Sequence, residues 1–100
     1  MASKDIGRRM ARLPLRSGIV MNVALTGPDD APPVIFVHGF PESHRTWRAV
    51  APLLDDKVRL IMPDLRGFGA SDKPQDVADY ATEHLLADLF ALADALGIDR

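Results

Sequence analysis

The chain has no cysteine, few aromatic side chains and no long apolar run, and each absence narrows what it can be. Without cysteine there are neither disulfides nor thiolate metal sites, which suits a reducing compartment such as the cytoplasm. No stretch approaches about 18 consecutive apolar residues, so the sequence predicts no transmembrane helix. Charges and Pro14 break up the start of the chain, where a signal peptide would need an apolar segment. A strong charge of either sign is also lacking, the net value being −2. The balance is uneven, because residues 1–16 carry Lys4, Arg8, Arg9, Arg12 and Arg16 against Asp5 alone. No aromatic groups interleave with these arginines, as single-stranded nucleic-acid binding would need, so the segment reads as a solvated leader with a possible first strand. A soluble cytoplasmic protein with no nucleic-acid or membrane partner is expected.

What is present fits one modest core in 100 residues, 47% of them hydrophobic and 26% charged. Apolar spacing predicts strands over residues 10–15 and 19–25, joined at Ser17-Gly18 as a hairpin. Residues 26–33 (TGPDDAPP) form a loop that proline and glycine keep out of helix and ladder. Residues 34–37 contain nothing polar and read as a strand buried on both faces, as in a parallel sheet. Trp47, Val50, Leu53 and Leu54 sit at helical spacing over residues 46–54, and residues 58–62 form the next strand, completing a βαβ unit. Residues 63–79 make a loop long enough to be functional. Leu85, Leu89, Leu92 and Leu96 predict a helix over 82–96, capped by Thr82 and closed by Gly97. A helix of this kind packs on a sheet and delivers the chain to a further strand, yet none follows, and residues 34–37 keep an open edge. The chain therefore reads as the front portion of a larger domain.

Both parallel strands end in glycine-bearing polar loops, VIFVHGFP over residues 34–41 and PDLRGFGASDKP at 63–74. Ligand sites of α/β sheets gather at such strand ends. Gly39 permits a turn that a side chain would hinder, and Pro41 biases Phe40 toward extended backbone, so the Phe40 N–H could face an oxyanion. On these residues alone an ordinary tight turn competes with that reading. His38, His44 and His84 lack the spacing of a zinc site, and no metal is expected. Gly67-Phe68-Gly69 is not a dinucleotide fingerprint, since Asp72 stands where a third glycine belongs. Ser17, Ser43 and Ser71 lie in turns without a partnered base.

HGFPES at 38–43, the helix containing Trp47, PDLRGFGASDKP at 63–74, Tyr80 and the helix ending at Leu96-Gly97 occur in an order that resembles the α/β-hydrolases. The likeness is to their epoxide-hydrolase-like branch and covers residues 17–100. It implies an α/β fold with a mostly parallel sheet and an N-terminal antiparallel hairpin, here incomplete. It assigns the Phe40 backbone N–H to an oxyanion hole, His38, Gly39 and Pro41 to loop support, and Glu42 to the pocket mouth. It also implies a cis Phe40–Pro41 peptide, a bracing rather than basic role for His38, and a structural role for Asp64 and Arg66. His44 and His84 are expected at the surface or at helix starts. The family's nucleophile lies on a turn after a fifth strand that would begin just past Arg100, and the acid and base are absent too, so the chain alone should not turn over substrate. Hydrolysis of an epoxide through an alkyl-enzyme ester is the implied activity, without a cofactor. Haloacetate dehalogenase and serine esterase chemistry share this front half. A truncated, non-catalytic fragment or an association domain is the alternative of a different class.

Overall fold

The computed structural model describes residues 9–39, 42–54 and 56–98. Four strands, β1 (Arg9–Pro14), β2 (Val20–Thr26), β3 (Pro33–Ile35) and β4 (Arg59–Pro63), form one sheet in the order β1-β2-β4-β3. β1 and β2 pair antiparallel from Arg9↔Leu25 to Pro14↔Val20, so the hairpin falls within one residue of the expected ends. Gly18 turns it with φ +105, a conformation that favours glycine. β2 continues antiparallel onto β4, and β3 joins β4 in parallel. The basic start thus contributes a paired strand, β1, as well as solvated residues.

Alternation along the strands divides the core between two faces. Met21, Val23 and Leu25 of β2, with Ile61 of β4, pack with Leu15, Ile19, Ala91 and Leu92. Ala24, Leu60 and Met62 face the other way and meet Ala51, with Phe36, Trp47, Leu54 and Val58 around them. The sheet therefore carries α2 (Thr82–Ala95) on one face and the short α1 (Ala51–Leu54) on the other.

Four expectations change. The strand predicted at 34–37 is the shorter β3, half-buried rather than buried on both faces, with Val37 exposed. It lies at the sheet's edge, which explains the incomplete cover. The continuous helix predicted over 46–54 is instead a 3-10 turn, His44–Trp47, followed by the single turn of α1. Pro52 has no N–H to offer the carbonyl four residues back, and the segment runs on three-residue bonds such as Val50 N–H to the Trp47 carbonyl, 3.0 Å. Its apolar face is accordingly split: Trp47 meets Phe36 edge-on at 4.9 Å, whereas Leu53 is 71% exposed. The loop over 63–79 contains a 3-10 turn, Val77–Tyr80. Lastly, Thr82 does not cap α2: Ala81 holds the cap position without a side-chain bond.

The other end of α2 closes as expected. Gly97 takes φ +73, its N–H bonds the Asp94 carbonyl at 3.1 Å, and the Ile98 N–H bonds the Ala93 carbonyl at 2.8 Å. This bond pair is a Schellman motif, which lets Ile98 fold back onto the core.

Candidate functional site

The two parallel strands deliver two loops to one end of the sheet. The Phe36 N–H extends the β3–β4 ladder to the Ile61 carbonyl at 2.9 Å before the chain leaves toward His38. β4 ends at Pro63, and Asp64 follows, wholly buried. An apolar cleft of about 550 Å³ opens between the loops, lined by His38, Gly39, Leu65, Phe68, Tyr80 and Leu85 among others.

His38 is 5% exposed and bonded through both ring nitrogens. The Leu65 N–H donates to Nε2 at 3.0 Å, so Nε2 carries no proton and Nδ1 donates to the Gly39 carbonyl at 2.9 Å. The Phe68 ring stands edge-on to the imidazole at 5.4 Å. A ring committed in this way ties one loop to the other.

Asp64 uses both carboxylate oxygens fully. Oδ1 accepts from the His44 backbone N–H at 2.7 Å and from His44 Nδ1 at 2.6 Å. Oδ2 accepts from Asn22 Nδ2 at 2.9 Å and the Ala70 N–H at 3.0 Å. Burial pushes the carboxyl pKa up, but the bonds from Ala70, His44 and Asn22 outweigh it and hold it below the ordinary 3.8. Gly69, at φ +54, leaves room for this group, because a Cβ there would overlap the Asp64 carboxyl.

The rest of the loop is knitted back onto β2. Ser71 Oγ accepts from the Asn22 N–H at 2.8 Å and donates to the Asp64 carbonyl at 2.5 Å. Val20 and Asp72 exchange two bonds, of 2.8 and 3.0 Å. Arg66 forms a bidentate pair with Asp88 of α2, both bonds 2.7 Å, and donates to the Asp79 carbonyl at 2.7 Å. The Asp88 bonds hold the Arg66 guanidinium's pKa above its already high ordinary value. Ser17 Oγ donates to the same carboxylate at 2.7 Å.

Phe40 and Pro41, and with them the expected oxyanion donor and the expected cis peptide, lie outside the described residues. The residues on either side are placed. Gly39 is exposed and Glu42 is exposed, and the Glu42 N–H donates to the Gly39 carbonyl at 2.9 Å. Gly39 differs from expectation: its φ is not positive, and a Cβ there would meet nothing within 4 Å among the described residues. His44 does start a 3-10 turn, but its side chain is only 17% exposed and faces Asp64, so it is no surface group. His84 lies at the start of α2, half-buried.

Sequence reasoning missed the Asp64–His44 and Arg66–Asp88 pairs. A signal existed for the second: Asp88 stands between Leu85 and Leu92 on the stripe that α2 turns to the sheet, where an unpaired charge would be costly. The hydroxyls of Ser17, Ser43 and Ser71 are engaged in bonds to Asp88, the Arg45 N–H and the Asp64 carbonyl. Among the described residues no group of three or more His, Asp or Glu is arranged to hold a metal ion. No described helix is long and apolar enough to cross a membrane.

Comparisons with known proteins agree with this geometry. Residues 32–100 match the family model described as the alpha/beta hydrolase fold. Epoxide hydrolase 2 of Siraitia grosvenorii is 45% identical over 85 residues, covering 84% of this chain and 26% of the relative. Epoxide hydrolase A of Mycobacterium tuberculosis is 38% identical over 96 residues, 95% of this chain and 30% of the relative. A solved structure of an epoxide hydrolase of the alpha/beta hydrolases superfamily, from metagenomes of hot environments, superposes with a TM-score of 0.86. It is 50% identical, and the match covers 89% of this chain and 30% of that one. The chain thus spans about a quarter to a third of the length of these relatives. With its sheet order, its two strand-end loops and this match, the chain belongs to the alpha/beta hydrolase fold family and is related to epoxide hydrolases.

Proposed function

We propose that this chain supplies the oxyanion-binding loop of an epoxide-hydrolase-like enzyme, residues 17–100 forming the front of its hydrolase domain. In this scheme an aspartate from the remainder of the fold attacks an epoxide carbon. The ring C–O bond opens, and the alkoxide formed takes up a proton supplied from solvent. The resulting alkyl-enzyme ester is attacked at its carbonyl carbon by water, whose proton passes to a histidine, also from the remainder. Negative charge then develops on the former carbonyl oxygen, and the Phe40 N–H donates to it. Collapse of the tetrahedral intermediate breaks its C–O bond to the alkyl group; the departing oxygen takes the proton held by the histidine to give the diol, and the carboxyl group ionises by losing a proton to solvent. Pro41 shapes the loop, and Glu42 stands at the pocket mouth. The scheme calls on no metal or organic cofactor.

One observation carries this reading: His38, immediately ahead of Gly39, is held at both ring nitrogens, Nε2 by the Leu65 N–H of the loop that follows β4 and Nδ1 by the Gly39 carbonyl. A donor can stabilise a transition state without reorganisation only if its backbone is fixed beforehand. The test compares this chain with the same chain continued by its downstream coding sequence, assayed on an epoxide, a haloacetate and a nitrophenyl ester. The continued chain should prefer the epoxide, and the short chain should be inactive on all three. Replacing the Phe40 amide by an ester linkage in the active form should lower kcat by about 10²–10³-fold with little change in KM. Turnover by the short chain, or an unchanged kcat in the ester variant, would overturn the assignment. Preference for the haloacetate or the nitrophenyl ester would move the activity to the corresponding branch of the same fold.

A further inference from the structure

The segment from His38 to His44 is fastened at both ends to two consecutive residues, Asp64 and Leu65. At its start, His38 Nε2 accepts the Leu65 N–H at 3.0 Å. At its end, the His44 N–H and Nδ1 both donate to Asp64 Oδ1, at 2.7 and 2.6 Å. From this juxtaposition we infer that Asp64 and His44 are positioning residues for the oxyanion loop, acting on the Phe40 amide through the loop's far end, an inference that rests on the oxyanion reading above.

Three features make the pair suited to this task. A carboxylate only accepts hydrogen bonds, so Nδ1 of His44 carries the proton, and its bond to a buried charge is stronger than one between neutral groups. The carboxylate is itself immobilised from the opposite side, since Asn22 reaches Oδ2 from β2 and the Ala70 N–H reaches it from the following loop. The force path therefore runs from the sheet through Asp64 to His44, bypassing the short 3-10 turn that His44 begins. The two fastenings are also unlike in kind: the first is a side chain of the oxyanion loop on a backbone amide, the second a backbone amide and a ring on a buried side chain. Substitution at position 44 can weaken the second while leaving the first intact.

That separation supplies the test. His44→Ala and His44→Phe remove the Nδ1 donor but keep the backbone bond, the phenylalanine also keeping the bulk. His44→Asn restores an N–H near the Nδ1 position. In amide hydrogen exchange of this chain, the Ala and Phe variants should speed exchange at the His44 amide by about ten- to a hundredfold, the usual worth of a hydrogen bond to a charged group. His44→Asn should bring it back toward the parent rate. In the chain continued by its downstream coding sequence, kcat on an epoxide should follow the same ranking, falling by up to about 10²-fold with KM held, as a displaced reacting group does. Unchanged exchange in His44→Phe, or no recovery in His44→Asn, would overturn the fastening. Altered exchange with an unmoved kcat would overturn the positioning of Phe40, whereas the oxyanion role itself stands or falls with the ester variant at Phe40.

Discussion

The two neighbours of β4 give its flanks opposite characters. On the β2 side, the chain beyond Pro63 is bound by polar groups: the buried Asp64, Asn22 and Ser71, with the half-exposed Asp72, continue the antiparallel ladder with side chains where strand pairing has ended. On the β3 side, a short edge strand and α2 border an apolar groove of about 630 Å³ lined by Pro33, Ile35, Leu89, Phe90, Ala93, Asp94 and Ile98. Phe90 beside it is 67% exposed. The difference shows two ways of building a strand end. Hydrogen bonds fix positions to a few tenths of an ångström and suit a loop that must keep one shape. Apolar contact is non-directional and suits a face that accepts another element.

Three substitutions or conditions probe this contrast, from the largest expected effect to the smallest. Arg66→Ala breaks the polar flank at its deepest point, leaving the Asp88 carboxylate, 1% exposed, with Ser17 as its one remaining partner among the described residues. Breaking one side of a buried pair costs about 3–5 kcal/mol, so urea denaturation should show a severely destabilised chain. Acid comes next. Because the Asp64 pKa is lowered on folding, its contribution is complete above the ordinary 3.8 and is lost as pH falls through the lowered value. Stability followed by circular dichroism should therefore hold with respect to this group down to about pH 4 and decline below it. Asp64→Asn should flatten that decline. Arg66, its pKa raised by the Asp88 bonds, stays charged throughout and adds nothing in this range. On the apolar flank, Phe90→Ser should shift stability by no more than about 0.5 kcal/mol, since an exposed ring contributes little to the folded chain. A loss comparable to that of Arg66→Ala would erase the distinction between the flanks.

Much of this layout was legible in the sequence, and the reasons are local. The hairpin could be read because Ser17-Gly18 separates two alternating runs, and both fall within a residue of their predicted ends. The end of α2 could be read because Gly97 is a residue that accepts positive φ after a leucine stripe. The helix over 46–54 misled because its apolar spacing was real, while Pro52 withholds one of the bonds a helix needs there. The Thr82 cap misled because a threonine one residue inside the helix cannot reach back to cap it. The polar network was the least visible. Asn22, His44, Ser71 and Asp88 join it from segments 20 to 71 residues apart, and composition carries no trace of that distance. Only the charge on the buried stripe of α2, and the run of glycines at 67 and 69, hinted that something bulky and polar was being accommodated.

The edge-on contact between Phe36 and Trp47 has a practical consequence. Trp47 is the single indole of the chain, and it sits three residues beyond His44 on the face opposite α2. Excited at the red edge of its band, where Tyr80 does not absorb, its fluorescence consequently reports on this side of the sheet alone. Seating of a ligand, or of a neighbouring segment, at the ends of β3 and β4 can be followed optically in the unlabelled protein.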